Sequence, residues 1–195
     1  MQVVPIFINF LATETLRIDN ARIEKFCYAL KEKGGGRRVS NAGGWQSDNV
    51  DTATPELQEL FRAVTDKLNE LHRYFNLKNS MRQVLEDAWI NINKRGDFNY
   101  AHAHPGVFFS CVYYVKGGPN KGEIAFNTPI EAHAYTIPDA LVTSHNAFTA
   151  HDLFIPPVTG ELLIFPSWLK HDVRPNETDE DRISIALNSG IIKLS

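Results

Sequence analysis

Cysteine is scarce in this chain of 195 residues, which contains only Cys27 and Cys111. Two cysteines are too few for a small disulfide scaffold, and both lie in apolar periodic segments where a free thiol packs as a small hydrophobe. The N-terminal segment also lacks a basic leader region with a small-residue cleavage site, and its short apolar run contains Pro5. We therefore expect a cytoplasmic protein with neither a secretory signal peptide nor a membrane span.

Long runs of one charge sign are missing as well. The net charge of −3 and the pI of about 6.2 come from interspersed acidic and basic residues. Without a basic block to follow a phosphate backbone, the sequence does not favour a nucleic-acid partner. The content of 43% hydrophobic and 22% charged residues is typical of one compact globular domain.

The first 35 residues predict a strand and a helix. Residues 3–10 are mostly β-branched or aromatic around a single proline, which favours a strand. A helix follows, capped by Asp19 or Asn20 and ended by the glycines at 34–36. Its apolar face consists of Ile23, Phe26, Cys27 and Leu30.

The second predicted helix begins with Thr54 as N-cap and Pro55 at its first position. Its apolar residues follow helical spacing and predict one buried face: Leu57, Leu60, Phe61, Val64, Leu68, Leu71 and Phe75. His72 lies beside this stripe, and we expect it to be structural. The stripe predicts that the helix packs on the outside of a sheet.

From Met81 onward the pattern changes to short β-runs separated by Gly, Pro and Asn, which is typical of an all-β sandwich or barrel. The candidate strands are 85–93, 107–115, 122–126, 132–137, 161–165, 171–174 and 182–188. This number of strands is enough for two facing sheets.

The histidines of the second half carry the first chemical signal. In His102-Ala-His104-Pro-Gly, two imidazoles lie one residue apart at the end of an extended run. Positions i and i+2 of a strand project to the same side, so both rings can reach one ion. His171 follows a buried strand broken at Pro166. Three ligands with this spacing fit a β-sandwich metal site that leaves open coordination positions, although His-x-His also occurs by chance and lone histidines are commonly structural.

An alternating strand after His171 places Arg182, Ser184 and Asn188 on one side. A guanidinium beside a hydroxyl suits a carboxylate ligand, while a solvent-facing arginine on an edge strand is the competing interpretation. Ser110 and Tyr114 share a strand face just after the histidine pair. They could complete the polar end of a pocket for an acid.

Together these residues resemble the 2-oxoglutarate and iron(II)-dependent oxygenase superfamily. The likeness covers residues 81–195 and is strongest to the prolyl-hydroxylase-like branch and to a group of small oxygenases of phages and bacteria. The motifs that carry it are residues 89–93, 96–106, 110–115 and 160–171, followed by Arg182-Ile-Ser184.

The resemblance implies a role for each matching residue. His102 and His104 match the His-x-Asp iron motif, His171 the distal histidine and Arg182 the arginine that binds 2-oxoglutarate. The other matching positions are expected to contact the co-substrate: Ser110, Tyr114, Ser184, and either Asn91 or Asn93. His104 departs from the family pattern, which has a carboxylate there, and three neutral imidazoles leave a more positive metal. Asp97 or Asp172 could supply the carboxylate instead.

The resemblance also implies a fold and a reaction. The fold is mainly β with flanking helices: a double-stranded β-helix (jelly-roll, cupin-like) core packed against N-terminal helices. The chain would be one oxygenase domain, with a supporting strand and helices in 1–80 and the core in 81–195. It would use Fe(II), 2-oxoglutarate and O2 to hydroxylate an unidentified small molecule or peptidyl side chain, with formation of succinate and CO2. The location would be the cytoplasm of a bacterial or phage-infected cell, and the oligomeric state stays open.

Two other classes of function remain open at this point. Three histidines with an open position also suit a zinc hydrolase, which leaves Arg182, Ser110 and Tyr114 without a shared task. A non-catalytic metal-binding β-sandwich module is the other class, although a structural zinc site normally has four protein ligands. Residues 127–157 either form a substrate-selecting lid, with His133, His145, His151, Tyr135, Phe148 and Phe154, or cover the sandwich.

Overall fold

The computed structural model of the chain describes residues 1–2, 9–130, 132, 137–146 and 148–194. Its first helix, α1, spans Asn20–Glu32, and the Asp19 side chain caps it by accepting a hydrogen bond from the backbone N–H of Arg22 at 3.1 Å. A predicted helix N-terminus is thus confirmed at Asp19. None of the helices in the described part of the chain is long and apolar enough to cross a membrane.

The second helix, α2, spans Gln58–Tyr74. It begins later than predicted because Pro55–Leu57 forms a 3₁₀ turn first, and the Thr54 side chain makes no capping hydrogen bond. The predicted apolar stripe is confirmed up to Leu68, since Leu60, Val64 and Leu68 are fully buried, whereas Phe75 lies after the end of the helix and is 38% exposed. His72 is also buried, and its Nε2 lies 3.1 Å from the backbone oxygen of Lys78. This contact is the structural role that we expected for it.

Eleven strands lie in the described part of the chain, and they form two antiparallel sheets. The larger sheet has the order β1 (Ala12–Thr15), β9 (Glu161–Pro166), β6 (Phe109–Lys116), β11 (Arg182–Lys193), β4 (Met81–Asn93) and β3 (Trp45–Gln46). The smaller sheet has the order β2 (Asn41–Ala42), β5 (Phe98–His102), β10 (His171–Val173), β7 (Ile124–Asn127) and β8 (Asp152–Ile155).

Two apolar layers hold these elements together. One cluster lies between the helices and the outer face of the larger sheet, and it includes Leu60, Leu68, Ile90 and Leu187. The other cluster lies between the two sheets, where Tyr114 and Phe165 of the larger sheet pack with side chains such as Phe126 of the smaller one. This architecture confirms the predicted mainly β fold with flanking helices.

The strand predictions differ from the structure in places. The predicted strand at 3–10 lies mostly outside the described residues, and the strand found nearby is β1, which was not predicted. The predicted strand at 132–137 also lies mostly outside the described residues. β5 was expected only as the extended run before His102 and was not among the candidate strands. β8 and the two-residue strands β2 and β3 were missed because such short runs carry too few alternations to be recognised. The strands β1, β2 and β3, which all lie before residue 80, therefore add to the core that was predicted for residues 81–195.

The packing of α2 gives a prediction about stability. Replacing Leu68 by alanine removes a fully buried side chain between α2 and the sheet, so the free energy of unfolding should fall by about 2–5 kcal/mol. Urea unfolding followed by circular dichroism measures this change. The exposed Asp66 on the same helix supplies the control, because Asp66→Ala should change stability by less than about 0.5 kcal/mol. Equal effects of the two substitutions would contradict the assigned packing.

Candidate active site

The three predicted histidines come together at one end of the smaller sheet. His102 ends β5 and His171 begins β10, and the antiparallel register of these strands places the two residues directly opposite each other. His104 follows two residues after His102. The ring centroids lie 4.5 Å apart for His102 and His171, 5.1 Å for His102 and His104, and 5.2 Å for His104 and His171. One ring nitrogen of each lies within 4.8 Å of the others, so the three can hold one metal ion.

Two of these imidazoles are oriented by the backbone of their own strand segments. The Nδ1 of His102 lies 2.7 Å from the carbonyl oxygen of Tyr100, and the Nδ1 of His171 lies 2.8 Å from that of Leu169. A carbonyl oxygen only accepts, so each Nδ1 carries the proton and donates it. Each Nε2 is therefore left with a free lone pair, as a metal ligand requires.

His104 is oriented by side chains instead. Its Nδ1 lies 2.8 Å from Oδ1 of Asn188 on β11 and 2.9 Å from Oγ of Ser110 on β6. The Ser110 hydroxyl also donates to Asn188 Oδ1 at 3.0 Å. The ring of Trp89 lies 5.6 Å from the His104 ring, between centroids.

The electrostatics of the cluster favour neutral rings. Burial lowers the pKa of His102 and His104, and it lowers the pKa of His171 to about 3, with the neighbouring His102 as a further cause. Neutral imidazole is the form that binds a metal, so protons do not compete for these nitrogens near pH 7.

A carboxylate ligand is absent from this group of described residues. The Asp97 carboxylate accepts a hydrogen bond from the backbone N–H of Lys94 at 2.7 Å, and the Asp172 carboxylate lies 3.4 Å from Nε of Arg174. Neither carboxylate lies with the three histidines. Neither therefore supplies the carboxylate ligand that the family pattern has at the position of His104.

Arg182 is a buried cation that forms no ion pair with a described residue, and Asp97 is the carboxylate whose charge raises its pKa. Its side chain is 2% exposed, and its Nη1 donates to the carbonyl oxygens of Lys121 at 3.1 Å and Gly122 at 2.9 Å. Its Nε is buried without a partner. Burial lowers the pKa of Arg182 to about 10, which leaves it charged at pH 7. A buried charge without an ion-pair partner is costly, so this position suits an anionic ligand.

One cavity, partly open to solvent, joins Arg182 to the three histidines. The other predicted residues in its wall are Asn91, Tyr114 and Ser184, which lie side by side across β4, β11 and β6. The Asn91 Oδ1 is buried without a partner. Burial raises the pKa of Tyr114 far above its usual value, so its hydroxyl stays protonated and can donate to an acid.

Two predicted residues do not line this cavity. Asn93 lies on the same strand as Asn91, but it is buried beside the loop that contains Gly44. Ser110 is fully buried, and its hydroxyl is engaged with His104 and Asn188. The geometry therefore favours Asn91 over Asn93 as the residue that contacts the co-substrate. Ser110 contacts His104 and does not line the pocket for an acid.

The sequence did not identify several residues of the cavity wall. Ser40, Trp89, Asn99 and Val112 were missed as wall residues. The period-two pattern already placed Trp89 on the face of Asn91, which was a usable signal. For Ser40 no local signal existed, because it lies in a loop whose position depends on β2 pairing with β5.

The described part of the segment 127–157 is not found at this cavity. None of its described residues lines the wall, and several surround a separate cavity with Phe126 and Leu169. The rings of His145 and His151 lie 5.9 Å apart in that region. Of the other lid candidates, His133 and Tyr135 lie outside the described residues. Of the two predicted roles, the described part of the segment therefore supports that of a cover on the sandwich and not that of a substrate-selecting lid.

A family match identifies the class of protein to which the chain belongs. The sequence profile of the family described as "Putative 2OG-Fe(II) oxygenase" matches residues 87–188, which is just over half of the chain. The chain belongs to this family. The matched range contains every predicted site residue and ends at Asn188. No curated protein sequence matches the chain significantly.

Solved structures of oxygenases share the fold. A prolyl-4-hydroxylase from Pseudomonas putida has a TM-score of 0.64 at 13% identity, over 95% of this chain and 92% of that one. A viral collagen prolyl hydroxylase from Paramecium bursaria Chlorella virus-1, in complex with 2-oxoglutarate, has a TM-score of 0.60 at 13% identity, over 92% and 94%. The epimerase SnoN from nogalamycin biosynthesis has a TM-score of 0.64 at 15% identity, over 96% and 79%. These matches identify the fold as a double-stranded β-helix.

The donor set fits the cofactors of this family, which are Fe(II), 2-oxoglutarate and O2. Three bare Nε2 atoms can occupy one face of an iron ion and leave other positions open. The unpartnered Nε of Arg182 can donate to a carboxylate of a dicarboxylate, whereas the unpartnered Oδ1 of Asn91 only accepts, so Asn91 could donate only from its amide NH₂ group. The oxygenase family and this fit do not favour a zinc hydrolase or a non-catalytic module.

Proposed function

We propose that the chain is a hydroxylase in which His102, His104 and His171 hold Fe(II) and Arg182 binds 2-oxoglutarate. The observation that carries this proposal is the buried, unpaired guanidinium of Arg182 in the same cavity as the three histidines. A metal site alone would not need it, whereas a dicarboxylate co-substrate needs a cation for the end that is remote from the metal.

The remaining wall residues have separate tasks in this proposal. The protonated Tyr114 hydroxyl and Ser184 donate to the distal carboxylate beside Arg182. Asn91 donates from its side-chain NH₂ group to the keto-acid end. The apolar side chains of Phe165 and Ile124 exclude water between these ends. Bound Fe(II) supplies the oxidation of 2-oxoglutarate by O2 to succinate and CO2, with transfer of the second oxygen atom to a substrate C–H bond.

The primary substrate would bind in a wider groove next to the metal. This groove is open to solvent and shares His102, His104 and Trp89 with the first cavity. Arg37 lies over the Trp89 ring, 5.6 Å from its centroid, and donates to Asn49 at 2.9 Å. Asn49 in turn donates to Asp87 at 2.7 Å. The loop before residue 50, rather than the described part of 127–157, therefore lies where it can select a substrate.

A spectroscopic titration tests the oxygenase function without knowledge of the substrate. When 2-oxoglutarate is added to the Fe(II)-loaded chain under anaerobic conditions, we expect a visible charge-transfer band that saturates at one equivalent. The Zn(II)-loaded chain is the control, because it binds the same ligand without a visible band. If iron is bound and no band forms, the proposal is wrong.

The type of reaction needs a second experiment. Incubation with candidate substrates under air, followed by mass spectrometry, should show succinate and a product that has gained one oxygen atom. A product of unchanged mass, with succinate formed, would indicate epimerisation and would contradict hydroxylation. Cyclisation would instead appear as the loss of two hydrogen atoms.

A further inference from the structure

This inference rests on the proposed function, in which His104 is the third metal ligand. An imidazole ligand must be oriented more strictly than a carboxylate ligand. A carboxylate presents two equivalent oxygens to a metal. An imidazole must have its proton on the nitrogen that faces away from the metal, and its plane must point at the ion. His102 and His171 meet this requirement through backbone carbonyls two residues earlier. His104 makes no such backbone contact among the described residues.

The side chains around His104 determine where its proton lies. Asn188 Oδ1 is 2.8 Å from Nδ1, and an amide oxygen can only accept. Two lone pairs at this distance would repel each other, so Nδ1 carries the proton. The Ser110 hydroxyl gives its own proton to Asn188 Oδ1 at 3.0 Å, which leaves its oxygen as a second acceptor, 2.9 Å from Nδ1. Only the tautomer with a bare Nε2 satisfies all three contacts.

The position of this pair follows from the sheet. Ser110 and Asn188 are direct partners in the antiparallel ladder between β6 and β11. Ser110 is fully buried and Asn188 is 7% exposed, so water does not compete for their hydrogen bonds. Asn188 is six residues from Arg182 on the same strand face. A single strand therefore serves both ends of the cavity.

We infer that Asn188, held by Ser110, is a positioning residue that makes His104 a competent third metal ligand in place of a carboxylate. Its amide oxygen fixes both the tautomer and the plane of the ring. Neither Asn188 nor Ser110 touches the metal position, because both contact Nδ1, the nitrogen on the other side of the ring. Loss of the amide oxygen should weaken metal binding without removing a ligand.

Metal affinity and imidazole NMR test this inference together. Asn188→Leu keeps the approximate side-chain volume and removes the acceptor, so the affinity for Co(II), measured anaerobically against a competing chelator, should fall about 10- to 100-fold. Asn188→Asp restores an acceptor oxygen and should recover most of the loss. In the Zn(II)-loaded chain labelled with ¹⁵N, the slowly exchanging Nδ1–H signal of His104 should be present in the wild type and Asn188→Asp and lost in Asn188→Leu.

The control variant is Ser189→Ala, one residue along β11, where the hydroxyl donates to Gln83 away from the cavity. It should leave the Co(II) affinity unchanged. If Asn188→Leu does not fold, Ser110→Ala takes its place, with a smaller but measurable loss of affinity and faster exchange of the same Nδ1–H.

The outcomes separate this inference from the proposed function. Wild-type Co(II) affinity in folded Asn188→Leu, or in Ser110→Ala where that variant takes its place, with the Nδ1–H signal unchanged, would overturn the role of the Asn188–Ser110 pair and leave the metal site intact. A wild-type chain that binds neither Co(II) nor Fe(II) would overturn the proposed function, and the inference with it.

Discussion

His171→Ala is expected to weaken Fe(II) binding by about two to three orders of magnitude, because one of three protein ligands is lost and a structural metal site gains roughly 3 kcal/mol from each ligand. His171 is the most buried of the three imidazoles, and its pKa of about 3 keeps it neutral across the accessible pH range. Anaerobic titration with Fe(II) or Co(II) against a chelator measures the loss. The charge-transfer band with 2-oxoglutarate should disappear at metal concentrations that saturate the wild type.

A histidine outside the cluster provides the control for this variant. His145 lies beside a different cavity and is exposed, so His145→Ala should bind metal with wild-type affinity. Retention of full affinity in His171→Ala would contradict the three-histidine site. An equal loss in both variants would point to general destabilisation.

Arg182→Ala is expected to weaken the binding of 2-oxoglutarate about 100- to 1,000-fold, because the distal carboxylate would be buried without its cation. Metal affinity should stay within about threefold of the wild type, since Arg182 is no part of the histidine group. Titration of the charge-transfer band with 2-oxoglutarate measures the first quantity, and Co(II) competition measures the second.

Two further variants sharpen the Arg182 prediction. Arg182→Lys keeps the positive charge but loses the paired donors, so its affinity should lie between those of the wild type and Arg182→Ala. Arg95→Ala removes an exposed arginine that pairs with Asp179 and should leave 2-oxoglutarate binding unchanged. If Arg182→Ala loses metal and 2-oxoglutarate together, Arg182 has a structural role and the proposed anion site is wrong.

The two substitutions should have separable effects because the cavity has two ends. The histidines come from the smaller sheet and the adjoining loop, whereas Arg182 comes from the larger sheet. No described hydrogen bond links Arg182 to a histidine. Metal binding and anion binding can therefore be lost independently, and the pattern of losses identifies which end a given residue serves.

Local patterns were sufficient to predict much of the fold. Both helices follow from apolar spacing near 3.6 residues, and Asp19 identifies the start of α1 because a cap is a contact between neighbouring residues. The strands of the larger sheet beyond residue 80 follow from buried or alternating apolar runs. The start of α2 was misplaced by three residues because a 3₁₀ turn and a first helical turn have the same sequence signals.

Within the candidate site, the sequence alone singled out the residues that we propose to carry the chemistry, and it indicated which of them share a strand face. His102 and His104 are two positions apart, and Arg182, Ser184 and Asn188 alternate along one strand, so short-range geometry was enough to group them. The likeness to a family then indicated iron and 2-oxoglutarate.

Only the tertiary structure decided which of these groups meet. Ser110 and Tyr114 share a face of β6, yet the register with β11 pairs Ser110 with Asn188 and Tyr114 with Ser184, so they serve opposite ends of the cavity. The register between β5 and β10 places His171 opposite His102. Strand register depends on contacts between residues far apart in the chain, and local periodicity carries no information about them. The sequence therefore determined the components of the site, and the pairing of the strands determined its arrangement.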